Sequence, residues 1–256
     1  MRGEDAISQD NPPTSPFSSS PSRLTPSLFP ELKGFIETSF VDWPGKLCAI
    51  MFVGGCNFRC PFCHNHPLVL EPETIESISF LDLRTRLAPL KKWLDGVCVS
   101  GGEPTLAPGL IPLLDKLKED GWAVKLDTNG SRPGVLKNIL SRGLVDMVSM
   151  DVKAPLIQQK YERCTGTKVN LDDIRQSIAL LAESDIEHEF RMTVLPLFHS
   201  KQDIIEWAKT LEGKGHLKLQ NFNPKTTLNP EFASEKGFSP DVFAKFQALI
   251  TPLARA

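Results

Sequence analysis

Cys56, Cys60 and Cys63 fall in one run, Gly54-Gly55-Cys56-Asn57-Phe58-Arg59-Cys60-Pro61-Phe62-Cys63-His64-Asn65. Cysteine thiolates are ligands for zinc and for iron–sulfur clusters. Three thiolates on one short loop cannot fill the four iron positions of a cubane. A [4Fe–4S] cluster held here keeps one iron free of protein, and an open coordination position separates a reactive metal site from a structural one. The spacing therefore points to redox chemistry at iron. The competing reading is a structural zinc knot with His64 or His66 as fourth ligand. Such knots usually join two separated pairs of ligands, and the sequence has no second pair. Around the thiols, Gly54 and Gly55 let the backbone come close. Phe58, Pro61 and Phe62 can screen a cluster from water, which tunes its potential. His64 and Asn65 stand where they would contact whatever occupies the open iron.

Those side chains need a scaffold, and strand-like runs alternate with helix-like ones. Strands are expected at 47–53, 97–100, 123–127, 147–151, 189–195 and 217–222, with amphipathic helices at about 81–94, 110–120, 134–142, 172–184 and 201–212. Repeated βα units with strands apolar on both faces predict an α/β fold with a parallel sheet. The expectation is a partial (β/α)6 barrel of TIM type, parallel strands inside and helices outside. Unusual polar residues sit at the C-terminal end of each expected strand. The cysteine loop follows the first, and Gly101-Gly102-Glu103-Pro104 the second. Asp127-Thr128-Asn129-Gly130 ends the third and Asp151-Val152-Lys153 the fourth. Arg191 to Pro196 closes the fifth, and Asn221-Phe222-Asn223-Pro224 the sixth. Parallel α/β folds gather their active sites at that edge. After a strand and downstream of the cysteines, Gly101 and Gly102 would allow close backbone approach to a ligand, and Glu103 would offer a nearby negative charge. Arg191 lies among apolar neighbours and needs an anionic partner, either a ligand carboxylate or a protein carboxylate such as Glu189.

These motifs together resemble the radical S-adenosylmethionine superfamily, through the CxxxCxxC loop and Ser100-Gly101-Gly102-Glu103-Pro104. Within it, Asp42-Trp43-Pro44-Gly45-Lys46, Leu126-Asp127-Thr128-Asn129-Gly130 and Met150-Asp151-Val152-Lys153-Ala154-Pro155 resemble the activases of glycyl radical enzymes. The likeness is greatest to activating proteins of anaerobic ribonucleoside-triphosphate reductase, and next to pyruvate formate-lyase activating enzyme; it covers about 34–233. It implies that S-adenosylmethionine chelates the open iron and is reductively cleaved to a 5′-deoxyadenosyl radical, which takes a hydrogen from a glycine of the partner. It further implies cofactor contacts from Phe62, His64, Asn65, Gly101, Gly102, Glu103, Asp151, Lys153, Arg191 and Asn223. At Asn223 the family often carries a basic or imidazole side chain. The resemblance to the formate-lyase activase implies a monovalent cation on Asp127, Thr128, Ser149 and Asp151; an Asx-turn at Asp127 and a helix cap at Asp151 are the plain alternatives. The implied partners are a glycyl radical enzyme and a flavodoxin- or ferredoxin-type electron donor.

The remaining features set limits. Residues 1–31, rich in Ser and Pro (Asn11-Pro12-Pro13-Thr14-Ser15-Pro16, Ser18-Ser19-Ser20-Pro21), are expected to be a disordered tail ahead of one domain at 32–256. A formal charge of −2 and the lack of a basic stripe speak against nucleic acid. No apolar run approaches the roughly 18–20 residues that span a bilayer, and the N-terminus lacks a secretory pattern. The expected compartment is a reducing cytoplasm, with Cys48, Cys98 and Cys164 as core thiols. His188, His199 and His216 lack ligand spacing and are assigned no role.

Overall fold

The computed structural model describes residues 28–253. The expected tail lies outside the described residues except for its last four, of which Pro30 is buried and Phe29 packs on Phe80 with ring centroids 4.7 Å apart. One seven-stranded sheet runs in sequence order: β1 (Leu32–Ser39), β2 (Cys48–Val53), β3 (Gly96–Gly101), β4 (Ala123–Thr128), β5 (Met147–Asp151), β6 (Glu187–Val194) and β7 (His216–Asn221). Strands β2 to β7 are parallel, as the βα pattern predicts, and β1 pairs antiparallel with β2. Strand order never reverses, so the sheet winds as a barrel rather than as a doubly wound sheet. It stays open between β1 and β7.

The connecting helices are α1 (His66–Leu70), α2 (Phe80–Leu87), α3 (Leu110–Glu119), α4 (Pro133–Ser141), α5 (Gln158–Thr165), α6 (Leu171–Ala182), α7 (Lys201–Thr210) and α8 (Pro240–Ile250). Besides the five-residue α1, which falls in none of the expected segments, three differ from expectation. The helix expected at 81–94 stops at Leu87, and the chain continues as a 3-10 turn over Ala88–Lys92 containing Pro89. Helix α5 was not legible, because its buried face is only Tyr161, Cys164 and Thr165. The third, α8, lies beyond the last βα unit and buries only Phe246 and Ile250. Strand β1 also escaped the pattern, since Leu32 and Ser39 are its only buried residues. Among the described residues no helix is long and apolar enough to cross a membrane.

Strand side chains alternate between two environments. Met51, Val53, Val99, Val124, Leu126, Val148, Met150, Phe190 and Met192 join the helix residues Leu83, Leu113, Leu117, Ile139, Ile174, Ile178 and Trp207 in one buried layer. The intervening positions face the lumen. At its floor Trp43, Cys48, Ile50, Cys98 and Met147 form a second, smaller cluster. Gly96 makes room for this plug, because a Cβ there would stand 2.7 Å from the Trp43 ring. Above the plug the lumen turns polar.

Candidate active site

The cysteine loop leaves β2 at Val53 and is tied down on four sides. Gly55 N–H donates to Leu68 O (2.7 Å), Glu103 N–H to Gly55 O (2.8 Å) and Arg59 N–H to Thr165 O (2.7 Å). Asn129 Nδ2 donates to Asn57 Oδ1 (2.9 Å). Close backbone crossings account for two glycines: a Cβ on Gly102 would lie 1.9 Å from Gly55 O, and one on Gly166 2.3 Å from Arg59 O. Thus the ends of β3 and β4 and the C-terminus of α5 fix the path of the thiols.

A cavity of about 400 Å³ opens at the C-terminal ends of the strands, within the range of small-molecule sites. It is lined by Cys56, Cys60 and Cys63, and by every other expected site residue except Ser149 and Asn223. Phe62 is buried with its ring 5.8 Å from Phe198. Asn65 Nδ2 donates to Gly101 O at 3.1 Å. Exposed His64 donates from Nε2 to the Asn223 carbonyl at 2.6 Å. The Asn223 side chain itself is turned away: its Oδ1 accepts from Lys225 N–H at 3.2 Å, and the residue is exposed. Its place in the site is as a backbone tether for His64.

Glu103 is held by several donors. It is 1% exposed, and its carboxylate accepts from Thr105 Oγ1 (2.5 Å), Thr105 N–H (3.1 Å), Thr128 Oγ1 (2.8 Å) and Asn129 N–H (2.6 Å). Burial leaves its carboxyl above the usual range despite these donors. It reaches the cavity wall, yet its oxygens are engaged in locking the β3 loop to the end of β4.

A charge network crosses the lumen ends of β4, β5 and β6. Lys125, fully buried, pairs with Asp127; Arg191 Nε donates to Asp151 at 2.9 Å and its Nη1 lies 3.5 Å from Asp127; Lys153 Nζ donates to Asp151 at 2.9 Å. Burial alone would raise both carboxyls. Arg191, with Lys125 for Asp127 and Lys153 for Asp151, holds both below the usual carboxylate range. The partners of Arg191 are therefore these aspartates, while Glu189 accepts from Ser149 Oγ at 2.8 Å. Of the four residues expected to hold a monovalent cation, Asp127 and Ser149 are register partners on β4 and β5, and Asp127 and Asp151 share Arg191. Ser149 and Thr128 donate to glutamates and both aspartates are paired with basic side chains.

Burial pushes the Cys56 thiol up to about 11 and the Cys60 thiol up to about 12, and raises Cys63; Lys153 pulls all three the other way. Unligated, these thiols keep their protons, and binding iron must release them. The donor set fits a cluster: three sulfurs face one cavity, with a lysine ammonium acting on them. Among the described residues no three His, Cys, Asp or Glu side chains are grouped to hold a single metal ion. Cys48, Cys98 and Cys164 are buried free thiols, as the sequence predicts.

Several contributors were not foreseen. Thr193 and Gln220 line the cavity and are register partners on β6 and β7; the period-2 alternation from Arg191 was the available signal. Asp42 also lines it, with its carboxylate accepting from Ser39 Oγ. His199, assigned no role, is buried and donates from Nε2 to Lys153 O at 3.0 Å, and Trp207 Nε1 donates to Val152 O at 2.9 Å. These two hold the β5 end that carries Asp151 and Lys153.

An open parallel barrel with three thiols at the C-terminal mouth defines a class of iron–sulfur radical enzymes. A family model described as the Radical SAM superfamily matches residues 50–211, and the chain belongs to that superfamily. It is 33% identical over 209 residues to a Methanocaldococcus jannaschii protein whose name assigns it by inference to the glycyl-radical enzyme activating enzymes, covering 78% of this chain and 83% of that one. To the pyruvate formate-lyase-activating enzyme of Clostridium pasteurianum it is 29% identical over 195 residues, 73% and 79% of the two chains. Among solved structures, Streptococcus suis SuiB bound to S-adenosylmethionine matches with a TM-score of 0.61 at 17% identity, over 77% of this chain but only 44% of SuiB. TYW1 with a lysine-pyruvate adduct bound matches at 0.57 and 17%, over 81% and 74%. The structural likenesses are of fold. The superfamily's cofactors are a [4Fe–4S] cluster and S-adenosylmethionine.

Proposed function

We propose that this chain activates a glycyl radical enzyme, and that the partner is an anaerobic ribonucleoside-triphosphate reductase. The observation that carries the activase reading is the similarity to an archaeal activating protein across 78% of the chain, in company with the convergence of the thiols and strand-end residues on one cavity. Cys56, Cys60 and Cys63 would hold the cluster. Bound together, cluster and S-adenosylmethionine supply the one-electron chemistry that removes a hydrogen from a glycine of the partner. The protein's own part is positional. Gly101 and Gly102 let the β3 end pass close against Val53 and the cysteine loop, Asn65 and Asn129 pin the loops, and Phe58 and Phe62 would keep water from the thiols. The reductase is favoured by the residue pattern from Asp42 to Lys46 and from Met150 to Pro155. A formate-lyase-type partner is the second reading, favoured by the 29% identity to the clostridial activase. The electron donor would be of flavodoxin or ferredoxin type, in a reducing cytoplasm.

The test is anaerobic incubation of reconstituted protein with each candidate partner, S-adenosylmethionine and a reductant. A glycyl doublet by electron paramagnetic resonance with the reductase is expected. A doublet only with the formate-lyase selects the second reading. No doublet with either, alongside turnover of a small molecule, overturns activation of a protein partner.

A further inference from the structure

Lys125 is a lumen residue whose type runs against its place. It is 0% exposed, on the lumen side of β4, with its Nζ 3.8 Å from Cys98 Sγ and paired with Asp127. Burial drives a lysine toward the neutral amine, yet the Asp127 carboxylate, then Cys98, outweigh it and the group stays an ammonium. Charge at the strand ends can then be assigned side chain by side chain. Asp151 has two close cations, Lys153 and Arg191, each at 2.9 Å. Asp127 has the Arg191 guanidinium only at 3.5 Å, and its close partner is Lys125. Without Lys125 this buried carboxylate would keep only a distant share of an arginine already bound to Asp151, which is the condition for recruiting a hard cation to its oxygens. With Lys125 that need is met.

We infer that Lys125 is a built-in counter-cation: its ammonium, entering from beneath Asp127, does for this pocket what a bound monovalent metal ion would do. It acts through Asp127 and not on the ligand, so it is a positioning residue. It makes cofactor binding independent of sodium or potassium. The inference rests on the cavity being the S-adenosylmethionine pocket.

The experiment measures equilibrium binding of S-adenosylmethionine to the anaerobically reconstituted holoprotein, by calorimetry, in choline chloride and in potassium or sodium chloride at one ionic strength. For the wild type the dissociation constants should agree within about twofold, since matched ionic strength leaves screening unchanged. In Lys125→Met the affinity in choline should fall by about tenfold or more, and potassium or sodium should restore most of it. Iron content and thermal midpoint of the variant establish that it holds its cluster. Lys125→Gln serves the same purpose if the methionine variant does not assemble. Wild-type binding that needs potassium or sodium overturns the inference, and this arm requires no variant. So does a folded Lys125→Met whose affinity is unchanged in choline. Failure of the wild type to bind S-adenosylmethionine in any salt would instead overturn the reading of the pocket.

Discussion

Gly102 is where the cysteine loop and the loop after β3 cross at the cavity, and one added methyl group tests whether their spacing holds the site together. A Cβ on Gly102 would lie 1.9 Å from Gly55 O, 2.6 Å from Gly55 C and 3.3 Å from Cys56 N. Ordinary contact begins at 3.4 Å, so in Gly102→Ala the cysteine loop and the end of β3 must part by about 1.5 Å. Both sides of the clash are backbone, which no rotamer change can relieve. The separation breaks the hydrogen bond from Glu103 N–H to Gly55 O (2.8 Å) and moves Cys56 with its loop. Overpacking of this kind costs about 1–3 kcal/mol of stability. A shift of about 1 Å at a reacting centre costs on the order of a hundredfold in rate. The assay is iron and sulfide per chain after anaerobic reconstitution, a urea midpoint, and release of methionine and deoxyadenosine. Gly134→Ala is the control, with no atom within 4 Å of the new methyl; on helix α4 it should be neutral or stabilise by about 0.5–1 kcal/mol. Full iron content and wild-type cleavage in Gly102→Ala would refute the reasoning.

Replacing Cys56, Cys60 or Cys63 singly with Ala should abolish deoxyadenosine formation, and an active variant would remove that cysteine from the ligand set. Glu103→Gln places an amide N–H against some of the four donors that the carboxylate now accepts from; it should cost about 1–3 kcal/mol in urea unfolding, and an unchanged midpoint would contradict the locking role. Asn223→Ala should leave the affinity for S-adenosylmethionine unchanged by calorimetry, because only its backbone carbonyl holds His64. Asp203 sits in the capping box of α7 with Ser200; burial raises its carboxyl, but Lys160 and Ser200 lower it further, for a net fall. Asp203→Ala should cost about 1 kcal/mol at neutral pH. That contribution is present above the unfolded carboxyl's value of about 3.9 and is lost as pH falls through the lower folded value. A wild-type-to-variant gap that stays constant into acid would exclude the carboxylate as its source.

The six parallel strands were legible because each is an apolar run ended by residues of another chemistry, Asp127-Thr128-Asn129-Gly130 after β4 being the plainest. The thiols and most of their neighbours stood out for the same reason, and they line one cavity. What could not be read was partnership. Sequence placed Asp127 and Asp151 side by side and left them free for a cation. The decisive neighbour, Lys125, lies two residues before Asp127, on the same face of the strand and one layer deeper. Glu103 was likewise read as an available charge, although two of its four hydrogen bonds come from residues that only the fold brings near, Thr128 and Asn129. His199 had no ligand spacing and so no signal, because its work is to hold a backbone carbonyl. Strand β1 and helices α5 and α8 failed for want of a periodic buried face.

A lumen carrying Lys125, Asp127, Ser149, Glu189 and Arg191 is a poor way to stabilise a barrel. Buried ion pairs seldom exceed what well-packed apolar side chains of the same volume would give, because desolvating each charge offsets most of the attraction. The stability of this fold must therefore come from the other side of the sheet, where the continuous layer of β2–β6 residues and helix residues such as Leu113, Ile178 and Trp207 is buried without a charge. The two faces of each strand thus do different work, and the period-2 alternation keeps them apart. The Trp43 plug seals the lumen from below with a small apolar cluster, so that the charged layer opens only upward, toward the thiols. Placing the network there fixes Asp151 and Lys153 beside Cys60 and Cys63 by ion pairs that cannot slide without exposing an unpaired buried charge. Its cost in stability is the cost of a wall that stays in one arrangement when a charged ligand arrives.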